Sequence, residues 1–218
     1  MLFRSVKICG LSTKETVLSA VKAGAKYIGL VFYPPSPRNV TIDQAAEILA
    51  IPYQEILTVG VFVNPSDALL TNVLKVVNLD VIQLHGNEDP ERVKYISTRF
   101  AKSVMKAISV SDVSDLNKAK EYESVCDMLL FDAKAPIEMH NAHPGGNGLV
   151  FDWKLIADYQ WNVPWMLSGG LHAKNVQEAI KISGAKIVDI SSGLESEPGN
   201  KDISMIETFM KVIQETKE

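Results

Sequence analysis

The chain has 218 residues, of which 46% are hydrophobic and 22% charged, and its net charge is −4. These values are typical of a globular protein that buries a large core without help from disulfides or metals. The acidic balance argues against a nucleic-acid or anionic-membrane surface, because each requires a basic face. We therefore expect no nucleic-acid partner, while a local basic pocket for a small anion remains open.

The N-terminal residues show no long apolar segment followed by a small-residue cleavage site, and no apolar run reaches the ~20 residues of a transmembrane helix. The two cysteines, Cys9 and Cys126, lie far apart and have no metal-ligand spacing. Reduced thiols in a reducing compartment are the simplest interpretation. We expect a cytoplasmic protein that neither enters nor binds a membrane.

Eight short apolar runs rich in β-branched residues recur along the chain, and amphipathic stretches separate them. Most runs are continuously hydrophobic, which is typical of parallel strands covered by helices. In chain order the pattern predicts strand 6–9, helix 14–23, strand 27–32, helix 43–49, strand 57–63, helix 67–77, strand 81–84, helix 90–98, strand 103–108, helix 113–120, strand 128–132, helix 154–158, strand 165–168, helix 174–182, strand 187–190 and helix 204–215.

Helix-start and helix-end signals support this alternation. Thr13, Thr41 and Ser66 precede predicted helices, and Gly24 and Gly184 follow two of them. Eight strands alternating with eight helices predict an α/β fold, a single (β/α)8 TIM barrel that spans residues 1–218 as one domain. A doubly wound open sheet is the competing architecture, although such sheets usually have fewer strands.

In such barrels the chemistry is located at the C-terminal ends of the strands and on the loops that follow them. Polar residues that close a strand are therefore the candidates. That rule selects Cys9, Arg38, Asn64, His85, Asp132, Gly169, Gly170, Ser191, Ser192 and Gly193.

Two glycine loops point to a phosphate. Ser168-Gly169-Gly170 closes the seventh predicted strand, and Ser191-Ser192-Gly193 closes the eighth. Adjacent glycines let backbone N–H groups approach an anion, and the loops after strands 7 and 8 bind phosphate in many barrels. Tight turns chosen for geometry alone are the alternative. Two such loops on consecutive strands favour a small phosphorylated substrate.

A third glycine cluster, in HPGGNGLVFDW at 143–153, predicts a mobile lid over the substrate. A disordered connection is the alternative. His140 and His143 fall in this region, and the four histidines of the chain show no i, i+4 pairing, so no zinc site is implied. We expect no metal.

Three further candidates lie at or just beyond the ends of other predicted strands. Asp132 closes an apolar run, where a partly desolvated carboxyl group can act as a general acid, although an N-cap or an ion pair with Lys134 would also explain it. Arg38 lies in the proline-stiffened loop YPPSPRNV, and its planar guanidinium matches a carboxylate. A solvated surface arginine is the alternative. His85, in VIQLHG, is placed to orient a ligand.

Cys9 closes the first strand, with Lys7 two residues earlier on the same side. Nearby positive charge could lower its pKa and make a thiolate base, whereas an inert core cysteine is the alternative. Cys126 precedes the sixth strand, at the opposite end of the barrel, and is predicted to be structural. Spacing alone does not decide whether Asn64, Gln83 and Asp189 fill the barrel or support the site.

Eight segments in order, KICGL, GLVFYPPSPRNVT, VGVFVN, VIQLHGNE, LLFDAK, GGNGLVFDW, LSGGLHAKNV and VDISSGLESEPGNKD, together resemble the phosphoribosylanthranilate isomerase family of tryptophan biosynthesis. The resemblance implies a cofactor-free Amadori rearrangement of N-(5'-phosphoribosyl)anthranilate. It implies that Cys9 is the general base, Asp132 the general acid and Arg38 the ligand of the anthranilate carboxylate. It implies phosphate binding by Gly169, Gly170, Ser191, Ser192 and Gly193.

Two positions depart from the family pattern: Asn147 stands where threonine is usual, and Ser168 where alanine is frequent. The nearest rival is the sister sugar-phosphate isomerase of histidine biosynthesis, which would carry an aspartate in place of Cys9 and a second phosphate loop. A non-catalytic phosphosugar-binding barrel would have lost the acid or the base. A monomer and a homodimer both remain open.

Overall fold

The computed structural model describes residues 5–50, 55–134 and 145–216. Its strands are β1 Ser5–Cys9, β2 Tyr27–Val31, β3 Leu57–Phe62, β4 Val81–Leu84, β5 Ser103–Val110, β6 Met128–Ala133, β7 Trp165–Leu167, β8 Ile187–Ile190, β9 Glu195–Glu197 and β10 Asn200–Lys201. Its α-helices are α1 Lys14–Lys22, α2 Ile42–Ile48, α3 Asp67–Val76, α4 Pro90–Phe100, α5 Val113–Ala119, α6 Lys154–Ala157, α7 Val176–Ser183 and α8 Ile203–Glu215.

Strands β1 to β8 form a closed parallel barrel in chain order, with β8 paired to β1. The predicted (β/α)8 barrel is therefore confirmed. The helices cover the outside of the barrel, and apolar residues fill the layer between them and the strands. None of the helices in the described ranges combines the length and the hydropathy needed to cross a bilayer.

Strand alternation divides the barrel interior into an apolar and a polar part. Inward-facing residues of successive strands form a second apolar cluster that includes Cys9, Val61, Met105 and Leu130. The same inward register carries the buried polar side chains Lys7, Gln83, Asp132 and Asp189. Charged groups thus lie inside the barrel, where their pairing decides their charge state.

The residues predicted to start helices are N-cap residues in the structure. The side-chain oxygens of Thr13, Thr41 and Ser66 each accept a hydrogen bond from the backbone N–H three residues on. Gly184 ends α7 in the left-handed region, with φ at +72°. Helix α7 begins at Val176, two residues later than the sequence pattern predicts.

An antiparallel hairpin of β9 and β10 interrupts the connection between β8 and α8, and the sequence pattern does not predict it. Strands of two and three residues are too short to show a hydrophobic period. The register pairs Glu195 with Lys201, so both side chains lie on one face of the hairpin. A Cβ at Gly199 would overlap the carbonyl oxygen of Pro37, so the hairpin packs closely on the β2–α2 loop.

Candidate active site

A cleft of about 700 Å³, including its open mouth, lies at the C-terminal ends of the barrel strands. The predicted site residues that line the cleft are Cys9, Arg38, His85, Asp132, Gly170, Ser191 and Ser192. Gly169 does not line it, and Gly193 faces a neighbouring open cleft beside α8. Barrel closure brings together groups that are up to 183 positions apart in the sequence.

Cys9 stands at the end of a buried polar chain. Lys7 Nζ donates to Asp189 Oδ1 over 2.7 Å, and the hydroxyl of Ser168 donates to Asp189 Oδ2 over 3.0 Å. A Cβ built at Gly29 would lie 2.9 Å from Cys9 Sγ and 3.3 Å from Lys7 Nζ, so the glycine leaves room for both groups. The Lys7 ammonium and the Cys9 thiol therefore both lie against Gly29, inside the barrel.

Burial decides the charge state of Cys9. It raises the pKa of the thiol, Asp189 raises it further, and the opposing charges of Lys7 and Lys201 do not compensate. Our expectation that positive charge would lower this pKa is therefore wrong. Burial alone would lower the pKa of Lys7, but Asp189 and Cys9 outweigh it and the pKa is raised. Lys7 accordingly stays an ammonium beside a protonated thiol.

The raised pKa makes a prediction for alkylation. In a Cys126→Ala variant, which leaves a single thiol, the rate of iodoacetamide modification should rise with pH by about tenfold per unit, because only the thiolate reacts. The rise should continue through pH 9, since the pKa lies above its ordinary value. Mass spectrometry of quenched samples measures the rate. A rate that levels off near pH 7 would show a preformed thiolate and contradict the prediction.

Asp132 lies opposite a histidine rather than a lysine. Its Oδ1 accepts from the backbone N–H of Ala133 over 2.9 Å, and its Oδ2 lies 3.3 Å from His85 Nε2. Gln83 Nε2 lies 2.8 Å from His85 Nδ1 on the other side of the ring, so His85 is held between Gln83 and Asp132. The alternative ion pair with Lys134 is absent, because Lys134 contacts another carboxylate, that of α5.

Arg38 is buried, so the alternative of a solvated surface arginine is wrong; only 6% of the residue is exposed. Its Nε and Nη2 donate to the two carboxylate oxygens of Glu195 over 2.7 and 2.8 Å, and Nη2 also donates to the carbonyl of Gly146 over 3.3 Å. The Nε and Nη2 hydrogens of Arg38, which could bind a ligand carboxylate, are therefore bonded to the carboxylate of Glu195 instead.

The two glycine loops differ in what their glycines do. Gly170, Ser191 and Ser192 line the cleft, and Gly170 has φ at +57°. A Cβ at Gly169 would lie 2.8 Å from the backbone nitrogen of Ala133, and one at Gly193 would overlap the carbonyl oxygen of Leu171. Gly169 and Gly193 are thus required for close backbone packing behind the cleft, and their direct contact with phosphate stays a prediction.

The described part of the predicted lid crosses the cleft. A Cβ at Gly145 would lie 2.5 Å from His85 Nε2 and 2.8 Å from Asp132 Oδ2, and one at Gly146 would lie 2.5 Å from Arg38 Nη1. Asn147 also lines the cleft. This segment therefore connects the acid to the arginine, while its motion stays a prediction. Residues 135–144, with His140 and His143, lie outside the described residues.

Sequence reasoning missed two residues of this region, Glu195 and Lys201. Neither closes a barrel strand, and their only signal was the segment GLESEPGNKD, already noted for its family resemblance. Asn64, which the strand-end rule did select, instead shapes a loop: it has φ at +45°, and its Oδ1 accepts from the backbone N–H of Asn87. In the ranges that the structure describes, no three His, Cys, Asp or Glu side chains are grouped to hold a metal ion.

Comparison with known proteins gives a consistent result. A family model described as N-(5'phosphoribosyl)anthranilate (PRA) isomerase matches residues 6–212. Relatives named N-(5'-phosphoribosyl)anthranilate isomerase include one from Paramagnetospirillum magneticum, 51% identical over 94% of this chain and 95% of its own, and one from Paracoccus denitrificans, 52% identical over the same shares.

Solved structures agree with the sequence relatives. The phosphoribosyl anthranilate isomerase of Thermotoga maritima is 36% identical and superposes with a TM-score of 0.85 over 97% of this chain and 99% of its own. A second isomerase structure, in complex with reduced 1-(o-carboxyphenylamino)-1-deoxyribulose 5-phosphate, is 34% identical, with a TM-score of 0.82 over the same shares. The chain belongs to the N-(5'-phosphoribosyl)anthranilate isomerase family.

Proposed function

We propose that this chain catalyses the Amadori rearrangement of N-(5'-phosphoribosyl)anthranilate to 1-(2-carboxyphenylamino)-1-deoxyribulose 5-phosphate. The observation that carries the proposal is the meeting of a thiol, a carboxyl group and an arginine in one cleft, at Cys9, Asp132 and Arg38. Family membership over nearly the whole chain supports the same substrate. The proposal assigns the role of acid to Asp132 and the role of base to Cys9.

Asp132 carries out the first step. Its carboxyl group donates a proton to the ring oxygen of the ribose, and the C1–O bond breaks to give an open-chain iminium. The ring of His85 faces the carboxyl oxygen Oδ2, and the backbone N–H of Ala133 holds Oδ1. These contacts restrict the orientation of the acid. We assign two roles to His85: it orients Asp132, and it contacts the substrate.

Cys9 carries out the second step. Cys9 reacts as its thiolate, the minor form of a thiol whose pKa is raised by burial. The thiolate removes the proton from C2 of the open-chain sugar, the C2–H electron pair forms the C1=C2 bond of an enolamine, and the iminium nitrogen takes up the electron pair of the C1=N bond. Protonation at C1 and loss of the hydroxyl proton give the 2-ketone. The iminium itself is the electron sink, so the step uses no cofactor. The Lys7 ammonium beside Cys9 offsets the charge of the thiolate.

The two ends of the substrate are anionic, and the cleft offers partners at both. Arg38 binds the anthranilate carboxylate, and the loops with Gly170, Ser191 and Ser192 bind the phosphate, where backbone N–H groups and hydroxyls can donate. Fixing both ends holds the sugar between the acid and the base, which turns binding energy into proximity.

The proposed function is tested by steady-state turnover of freshly generated N-(5'-phosphoribosyl)anthranilate, followed by the loss of its fluorescence. We expect turnover with this substrate and none with the larger two-phosphate substrate of the sister isomerase, because Cys9 stands where that enzyme would carry an aspartate. Turnover of the two-phosphate substrate alone would favour the sister activity. Binding of both without turnover would favour a phosphosugar-binding barrel.

Replacement of Arg38 gives a further prediction. Arg38→Ala should raise KM for N-(5'-phosphoribosyl)anthranilate by about tenfold to a hundredfold and lower kcat less, because it removes a charged donor from the remote end of the substrate. Initial rates over a range of substrate concentrations measure the two constants. The matched control is Arg99→Ala, on the exposed side of α4, which should leave both constants unchanged. An unchanged KM in Arg38→Ala would remove the arginine from substrate binding.

We also propose that residues 1–218 act as one catalytic domain whose partner is this small phosphorylated molecule. A monomer and a homodimer both fit the sequence. One solved relative is described as a dimeric isomerase from which monomers were generated. A cytoplasmic location stays a prediction from the sequence.

A further inference from the structure

Protein groups hold Arg38 from several sides. A Cβ at Gly10, whose φ is +75°, would lie 2.6 Å from Arg38 Cδ, so the arginine stem lies directly on that glycine. Glu195 takes Nε and Nη2 in a bidentate ion pair, and the carbonyl of Gly146 takes a second hydrogen of Nη2. Of the five guanidinium hydrogens, those on Nη1 have no protein acceptor among the described residues.

Glu195 is itself fixed by three partners. Lys201, directly opposite on β10, forms an ion pair with Oε1, and the backbone N–H of Gly199 donates to Oε2 over 3.2 Å. The side chains of Arg38, Glu195 and Lys201 are 7%, 4% and 0% exposed. Because the Glu195 carboxylate is buried and bonds Arg38 through both oxygens, the Arg38 guanidinium has little freedom to rotate.

The cluster of Arg38, Glu195 and Lys201 has two basic side chains and one acidic side chain. Burial would raise the pKa of Glu195, but the hydrogen bond from Arg38 and the charge of Lys201 outweigh it and hold the pKa below its ordinary value. Burial lowers the pKa of Lys201, and the charge of Glu195 opposes that shift. With Lys201 protonated, two cations and one anion leave one positive charge in a buried place. A substrate carboxylate that accepts hydrogen bonds from Nη1 of Arg38 would neutralise the cluster.

We propose that Glu195 is a positioning residue for substrate recognition: its bidentate bond with Arg38, braced by Lys201, directs the free Nη1 edge of the guanidinium toward the carboxylate of the anthranilate ring. The inference rests on the proposed function. It assigns specificity for a carboxylated ring to the β9–β10 hairpin. Glu195 of this hairpin contacts Arg38 and does not line the cleft.

Orientation and charge predict opposite effects of one substitution. Glu195→Gln removes a negative charge next to Arg38, so charge alone would strengthen or preserve binding of an anionic ring. If Glu195 orients the guanidinium, the same variant binds that ring more weakly. A general structural role would instead weaken binding of all ligands alike.

Calorimetric binding of two probes separates these possibilities: reduced 1-(o-carboxyphenylamino)-1-deoxyribulose 5-phosphate and its analogue without the ring carboxylate. Glu195→Gln should raise Kd for the first probe by about tenfold to a hundredfold, as misplacement of one binding group can, and change Kd for the second less than threefold. An unchanged or lower Kd for the carboxylated probe, or an equal loss for both probes, would overturn the proposal.

A second variant guards against misfolding and charge effects. Glu195→Gln combined with Lys201→Met keeps the formal charge of the wild-type cluster, and it should show the same selective loss with an unchanged circular dichroism spectrum. Recovery of wild-type affinity in this variant would mean that charge, not orientation, matters, and would overturn the proposal. Wild-type turnover, measured alongside, distinguishes a failure of this inference from a failure of the proposed function.

Discussion

Asp132→Asn is expected to lower kcat for N-(5'-phosphoribosyl)anthranilate by about 10²–10⁴-fold, the usual contribution of a positioned general acid. The amide keeps the size of the carboxyl group and can still accept the hydrogen bond from Ala133 through its oxygen. It has no proton of suitable acidity for the ring oxygen of the ribose. Binding contacts at the two ends of the substrate are untouched, so KM should change much less than kcat.

The measurement is a steady-state comparison of the purified variant with the wild type at saturating substrate. Asp112→Asn is the matched control, because Asp112 caps α5 at the surface and asparagine is an equally good N-cap. That control should retain wild-type turnover. A kcat for Asp132→Asn within threefold of the wild type would show that another group opens the sugar ring.

Cys9→Ser is expected to lower kcat by about 10³-fold or more, near the upper end of what a positioned base contributes. Serine differs from cysteine by one atom and fits the same space, but its hydroxyl loses a proton far less readily than a thiol. The charge of Lys7 that offsets a thiolate cannot make an alkoxide available near neutral pH. The loss should therefore fall on turnover rather than on affinity.

The second cysteine provides the control for this variant. Cys126 is buried among apolar residues, with burial raising its pKa to about 11, and it does not line the cleft. Cys126→Ser should retain wild-type kcat and unfold at a lower temperature, because it buries a hydroxyl in the apolar core. Near-wild-type turnover by Cys9→Ser would show that the thiol only fills the core.

Much of the fold could be predicted because its signals are local. Apolar runs, caps such as Thr41 and the left-handed Gly184 are each readable within a few residues. Barrel closure then brings the strand ends to one place, so a rule about strand ends was enough to gather Cys9, Arg38 and Asp132 at one cleft. Their roles still depend on the experiments above.

What could not be predicted depends on long-range packing. The pairing of Arg38 with Glu195 joins positions 157 apart through a hairpin too short to leave a periodic pattern. The direction of the Cys9 pKa follows from the depth of burial and from Asp189, which faces the thiol from another strand. Ser168, a departure from the family pattern, turned out to bond Asp189.

The order of the two steps can be tested by trapping the open-chain intermediate with cyanoborohydride, which reduces an iminium to a stable amine. Cys9→Ser retains the acid but lacks the base, so it should form the reduced open-chain amine faster than the uncatalysed background. Asp132→Asn should not exceed that background, because its sugar ring stays closed. Trapping with Asp132→Asn but not with Cys9→Ser would contradict the assignment of Asp132 as the acid that opens the ring and Cys9 as the base that follows.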